Sequence, residues 1–482
     1  MLEEDLETAR LKTREKLLFA WGDVFGGGAQ ALIAVLYLIF LTDIIGLNPA
    51  IAATAIMLSK FWDAISDPLM GIISDNTRTS IGRRRPFILG GGILVALVFS
   101  MMWLPIAAWT SDALKAIYTI SVFMLYSTVA TVIAVPYSSL SAEITTDIRE
   151  RNTVNVLRLA VSTTATAVCT LIPAFILDSL KAGQISVQTF YFIVGLGFGL
   201  FFALPLVLIG LFTRERVAIP AQKSTFQLRT FVRPLSVKAF RGLVKMYLCQ
   251  SISMDILAAG IVYYSLYVAK GSTTIFLGIF IGVQLMMFPF INHLVNVVDK
   301  KRIYYYGLPL AISAFIGVGL YPAHWPILGA YILTGFTAIG FAGAQLISWI
   351  IFPDTVDVGE LQLSERPTGS FSGIMTFIRK TASAAAIFIF GLMLSLSGYI
   401  KPSSQILLPD QPASAILGIR LAMTGSFVIL MCLGYFAAHR FVLTNQRSAQ
   451  VRRFIKLRQE GSLPSQDPAI QREFDQLLMD LQ

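Results

Sequence analysis

Asp63 and Asp67 stand four residues apart in the stretch KFWDAISDPLMG, residues 60–71, with Lys60 nearly one turn earlier. On a helix this spacing puts both carboxylates on one face, one turn apart. Neighbouring carboxylates repel, so such a pair either holds a proton or takes up a cation, and it forms the nucleus of a cation site. The alternative is that the two acids pair with basic residues and fix helix packing. Two basic residues lie in similarly apolar surroundings: Arg158 in NTVNVLRLAVSTTAT and Lys380 in GIMTFIRKTASAAAIFIFG. Each is either a partner for the acids or a side chain whose head reaches back to a membrane boundary. Asp255, in QSISMDILAAGIVYY, is a third acid among apolar residues, open to a functional or a structural reading.

Other chemistry finds little support. The chain has three histidines and no cluster with metal-ligand spacing. Cys169, Cys249 and Cys432 lie inside apolar segments and read as packing residues. The glycines of GGGAQA and LGGGIL are not followed by the Lys-Ser/Thr of a nucleotide loop and read as close-packing positions. An enzyme is therefore not expected, and neither is a cofactor, apart from a coupling cation, Na+ or H+.

The elements that must hold these residues are membrane helices. Of 482 residues, 55% are hydrophobic and 14% charged, and the mean hydropathy is +0.69. Such a composition marks an integral membrane protein. Twelve apolar runs, from about 17–45, through a tenth over about 325–352 that leaves Asp354 and Asp357 in the following loop, to about 413–444, are each long enough to cross a hydrocarbon core of roughly 30 Å. Being apolar on all sides, they predict helices rather than barrel strands.

The net charge of +10 is concentrated in alternate loops, such as RTSIGRRRP, DIRERN and DKKR. That pattern predicts an orientation with both termini cytoplasmic in the plasma (inner) membrane. It points to contact with lipid headgroups rather than with nucleic acid. Residues 1–16 are charged and carry no cleavable leader pattern, and the tail 445–482 reads as amphipathic helices around GSLPSQDP that cap the cytoplasmic side or meet a partner.

SDNTRTSIGRRRP and VNVVDKKRI each place an aspartate at the end of an even-numbered span, before a basic cluster. This weak internal repeat predicts two six-helix halves, 17–213 and 241–444, joined by a cytoplasmic linker over 214–240. The arrangement resembles the major facilitator superfamily. FWDAISDPLMG, AVPYSSLSAEITTDIRERN and PDTVDVGELQLSERPTGSFSGIMTFIRKTASA together resemble, in order and spacing, the glycoside-pentoside-hexuronide cation symporters within it.

That resemblance implies symport of a small-molecule substrate, a glycoside or related sugar, by a monomer working through alternating access. It implies a cation site of Asp63 and Asp67 with Ser66 and Thr131. Ser66 stands where asparagine occurs in the galactoside carriers, which leaves sodium and proton both open. Lys60, Arg158, Lys380, Thr376 and Gln345 occupy sugar-side positions of the family. The aspartates and tryptophan that hold a galactoside correspond to about Gly27, to Ala134 and to Ser138, so a different sugar is expected. Gln30, one turn beyond Gly27, offers a replacement contact.

Counting Lys60, Arg158 and Lys380 against Asp63 and Asp67, with or without Asp255, a bound cation tips the cavity positive, and an acidic substrate such as a hexuronide restores balance. Across the halves, Arg149 or Arg151 is expected to pair with Asp354 or Asp357 as a gate, unless these charges form a solvated surface. A lysolipid symporter of the wider family and a receptor that does not transport are the competing functions.

Overall fold

The computed structural model describes residues 11–145, 147–216, 231–295, 297–363, 368–402, 406, 408–460 and 468–481, and every regular element among them is helical. The N-terminal half comprises α1 (Thr13–Ile44), α2 (Pro49–Asn76), α3 (Arg85–Met102), α4 (Asp112–Glu143), α5 (Ile148–Lys181) and α6 (Val187–Phe212). The C-terminal half comprises α7 (Lys238–Val268), α8 (Thr273–Leu294), α9 (Lys300–Leu320), α10 (Leu328–Leu363), α11 (Thr368–Leu396) and α12 (Ala413–His439). Among the described residues, eleven candidate spans meet both the length and the hydropathy expected of a membrane crossing. The 28-residue α2 is long enough as well, but is made less apolar by Lys60, Asp63 and Asp67.

Local signals set several helix starts. Asn48 accepts a hydrogen bond from the Ala50 amide with Pro49 at the first position of α2, and Ser111 and Ser272 cap α4 and α8 in the same manner. Pro68, directly after Asp67, lacks the N–H that would bond the Ala64 carbonyl, and Ala64 lies between the two acids, next to Asp63 and nearly one turn before Asp67.

Small residues set how closely the helices meet. A Cβ on Gly92 would lie 2.9 Å from the Leu206 side chain and one on Gly210 2.6 Å from Leu89, which draws α3 against α6. The tightest crossing joins α9 to α10, where a Cβ on Gly307 would stand 2.3 Å from the Gly340 carbonyl oxygen, and one on Gly340 2.5 Å from the Ala311 amide. Gly340→Val is therefore expected to destabilise the bundle by about 3 kcal/mol through overpacking against backbone. The measurement is the monodisperse fraction recovered in detergent, and recovery equal to wild type would contradict this account of the crossing.

The halves meet through α2 with α11, α5 with α8, and α1 with α7, leaving a central space between them. One expectation needs revision here. The tenth span does not end near residue 352: α10 runs through Pro353 to Leu363, so Asp354 and Asp357 lie on a helix and not in a loop. The expected linker falls largely on residues 217–230, outside the described residues. After α12 the chain forms α13 (Asn445–Gln459) and α14 (Pro468–Leu481), the two tail helices foreseen. They pack on each other through Phe454 and Phe474 and the pairs Arg447–Asp480 and Arg453–Glu473.

Candidate functional site

A cavity of about 450 Å³ lies between the halves, with walls from α1, α2, α4 and α5 on one side and α7, α8, α10 and α11 on the other. This volume lies in the range of small-molecule sites. Lys60, Asp63, Asp255, Gln30, Gln345 and Lys380 all line it, as do two side chains the sequence reading passed over, Arg379 and Gln284.

The four residues expected at the cation site converge. Thr131 Oγ1 donates to Asp67 Oδ1 at 2.8 Å, and the Ser66 and Thr131 hydroxyls lie 3.2 Å apart. Lys380 crosses from the other half, its Nζ 2.5 Å from Asp67 Oδ2 and 3.9 Å from Asp63 Oδ2. Asp63 Oδ1 is buried without a hydrogen-bond partner among the described residues. Two carboxylates and two hydroxyls make an all-oxygen set of the kind hard cations select, in which one buried carboxylate oxygen has no hydrogen-bond partner among the described residues.

Beside this cluster runs a polar chain across the halves. Lys60 Nζ donates to Ser383 Oγ at 3.1 Å, Ser383 donates to Asp255, and Arg379 Nη2 reaches the other Asp255 oxygen at 3.4 Å. Asp255 thus carries a cation of its own, whereas the partner given to Lys60 is a hydroxyl.

Other expected residues lie elsewhere. Arg158 does not line the cavity: its Nε is 2.6 Å from Asp23 Oδ2 and its guanidinium sits 4.5 Å above the Tyr137 ring, whose hydroxyl donates to the same aspartate oxygen. Asp23, adjoining the glycine run, holds Arg158 against α1 and α4. Thr376 is exposed and outside the cavity lining. Gly27 does line it, but a Cβ there would stand 2.6 Å from the Ser162 carbonyl oxygen on α5, so this position has no room for an acidic side chain.

Asp354, expected at a gate, binds Lys300 at 2.6 Å, Arg452 at 3.0 Å and Ser448 at 3.2 Å, so its partners among the described residues are the start of α9 and tail helix α13. Asp357 is half-buried one turn on, Arg151 is half-buried near the start of α5, and the Arg149 side chain lies outside the described residues.

At the opposite end of the bundle the halves are tied together. The fully buried Asp43 carboxylate pairs with Lys181 at 2.7 Å and accepts from Tyr399 at 2.7 Å and from Tyr267, while Thr42 and Tyr263 share a 2.8 Å hydrogen bond. Nearby, Asp178 at the end of α5 accepts from the Ser272 hydroxyl and from the Thr273 and Thr274 amides, capping α8 across the interface.

A model of the family described as MFS/sugar transport protein matches residues 18–445. An uncharacterized symporter of Synechocystis is 27% identical, the match covering 96% of this chain and all of that protein. A putative sulfoquinovose importer of Salmonella typhimurium is 28% identical, with 84% of this chain and 85% of the relative covered. A glucuronide carrier protein homolog of Escherichia coli is 25% identical over 92% of this chain and 95% of the relative. In fold, the inward open xylose transporter of E. coli superposes with a TM-score of 0.59 at 12% identity, covering 89% of this chain and 96% of that one. Twelve long helices among the described residues, in two packed halves, a central cavity with buried charge and a family match over most of the sequence agree, and the chain belongs to the MFS/sugar transport family of multi-pass membrane symporters.

Proposed function

We propose that this transporter moves an acidic sugar together with a cation. The observation that carries the reading is the charge arrangement of the cavity. Lys60, Arg379 and Lys380 face Asp63, Asp67 and Asp255. The set is neutral as it stands, so a coupling cation leaves one positive charge in excess. A single anionic group on the substrate removes that excess, and Lys60, held by a hydroxyl, is the ammonium best placed to receive it. Two relatives bear the names of a glucuronide carrier homolog and a sulfoquinovose importer. A glucuronide carries a carboxylate and sulfoquinovose a sulfonate, both on a sugar ring, which supports the same substrate class.

The proposed cycle follows from linkage. With no cation, Lys380 bridges Asp67 and Asp63 and serves as an internal counter-ion. A cation at the acids loosens that hold and makes Lys380 available to the cavity, so cation and sugar each tighten the other. Rocking of the halves about the midplane then exposes the site alternately. With the basic loops facing the cytoplasm, the end tied by Asp43 faces outward and the cavity is inward-facing.

The test is uptake into proteoliposomes of a panel of neutral and acidic glycosides, with labelled lysolipid alongside, under separate sodium and proton gradients. An acidic sugar is expected to accumulate under one gradient, and Asp63→Asn is expected to abolish that accumulation. Accumulation of neutral glycosides alone would refute the acidic assignment, and accumulation of lysolipid alone would refute the sugar.

A further inference from the structure

The wall of the cavity contributed by α8 is a helical stripe of Leu277, Phe280, Ile281, Gln284, Leu285 and Phe288, in which one amide interrupts an apolar row. Gln284 is 4% exposed, and its Nε2 is buried with no hydrogen-bond partner among the described residues. On the adjoining α10, Gln345 lines the same cavity, with its Oε1 also buried and unpartnered. Buried polar groups without partners are rare in folded proteins, and where they face a cavity a ligand completes them. An amide N–H₂ requires an acceptor and an amide oxygen requires a donor. A hydroxyl is both, which a carboxylate or an alkyl chain is not.

We propose that Gln284 and Gln345 are the hydroxyl-reading pair of the C-terminal half, fixing ring hydroxyls of the transported sugar. The assignment rests on the sugar-transport reading above and adds to it where the discrimination between sugars resides. The charged groups on α2 and α11 select an anion, and the two amides select a polyhydroxylated ring with hydroxyls at defined positions. Because a site built to bond a hydroxyl leaves its own buried groups unpaired with an analogue lacking it, each amide discriminates against one deoxy sugar. Gln284→Leu turns the α8 stripe fully apolar at similar volume. Gln284→Asn keeps the chemistry and shortens its reach.

The experiment is equilibrium binding to the full-length protein in nanodiscs, using the acidic sugar transported best and its series of monodeoxy analogues, for wild type, Gln284→Leu, Gln284→Asn and Gln345→Leu. Gln284→Leu is expected to weaken the parent sugar about tenfold, the equivalent of ~1.4 kcal/mol. One deoxy analogue is expected to bind wild type and Gln284→Leu equally, and a different one to do so for Gln345→Leu. A loss of the same size for every analogue means a packing role and overturns the proposal, as does undiminished binding of the parent by both leucine variants. Should Gln284→Leu fail to fold, the same analogue-specific pattern is required of Gln284→Asn. If wild type binds no sugar of the panel, the sugar reading itself fails and this assignment falls with it.

Discussion

Asp67→Asn is expected to lower gradient-driven accumulation by at least about 100-fold while leaving the protein folded and able to exchange substrate across the membrane without a gradient. Asp67 is the hub of the cluster, accepting from Thr131 on α4 and from Lys380 on α11. Asparagine keeps the size and one acceptor for Thr131 but removes the charge that holds Lys380 and attracts the cation. Lys380 then has Asp63 as its acidic neighbour, now at 3.9 Å. A coupling free energy of the usual 1–3 kcal/mol makes substrate affinity depend on cation by roughly 5- to 150-fold, and the substitution is expected to erase that dependence. The check is a substrate titration of purified protein at several sodium concentrations and pH values. An Asp67→Asn protein whose affinity still rose with cation as in wild type would place the coupling site elsewhere.

The second large effect is expected at the tied end of the bundle. Asp43→Asn leaves the Lys181 ammonium, only 4% exposed, without its buried counter-ion, and replaces charge-assisted hydrogen bonds from Tyr267 and Tyr399 with neutral ones. Breaking one partner of a buried ion pair costs about 3–5 kcal/mol. The ion pair lies within the N-terminal half, but the Tyr267 and Tyr399 bonds join the two halves and the seam they close keeps Lys181 from water, so the cost falls on the arrangement in which the halves meet at that end. About 3 kcal/mol shifts the balance toward the arrangement open there by roughly 100-fold. The readout is labelling of Leu38→Cys, a buried cavity residue little more than a turn below Asp43, in protein with Cys169, Cys249 and Cys432 replaced by alanine. The labelling rate from outside is expected to rise steeply in Asp43→Asn, whereas an unchanged rate would remove the latch.

What the sequence showed and what it concealed divide along a physical line. The Asp63–Asp67 pair was legible because helical spacing alone puts both acids on one face, and Lys380 because small neighbours announce a close helix contact. Asp43 and Lys181 are 138 residues apart. Each stands near the end of its own span, where single charges are ordinary, and only the packing of α1 against α5 and α7 makes them a buried pair. Arg379 was overshadowed by its neighbour: consecutive helical residues point about 100° apart, and nothing in the sequence says that both reach one cavity. Gln284 did leave a signal, a lone amide in the apolar run GVQLMMF, but without the opposing helices it is indistinguishable from a packing residue. Pro353 misled in the other direction, since it reads as a helix stop while α10 continues through it for ten residues to Leu363. Asp354 was thereby assigned to a loop and given partners across the halves.

The true partners of Asp354 bear on how the chain is made. Lys300 precedes Asp354 in the sequence and is present when α10 emerges from the ribosome, but Ser448 and Arg452 follow α12 and are synthesised later. From the completion of α10 until residues 448–452 emerge, Asp354 has one of its three partners, and the junction of α9 and α10 waits on the tail. Maturation of the C-terminal half therefore ends with docking of α13 rather than with insertion of its last membrane helix. A ribosome that stops before residue 445 leaves a fully inserted bundle whose last seam is still open.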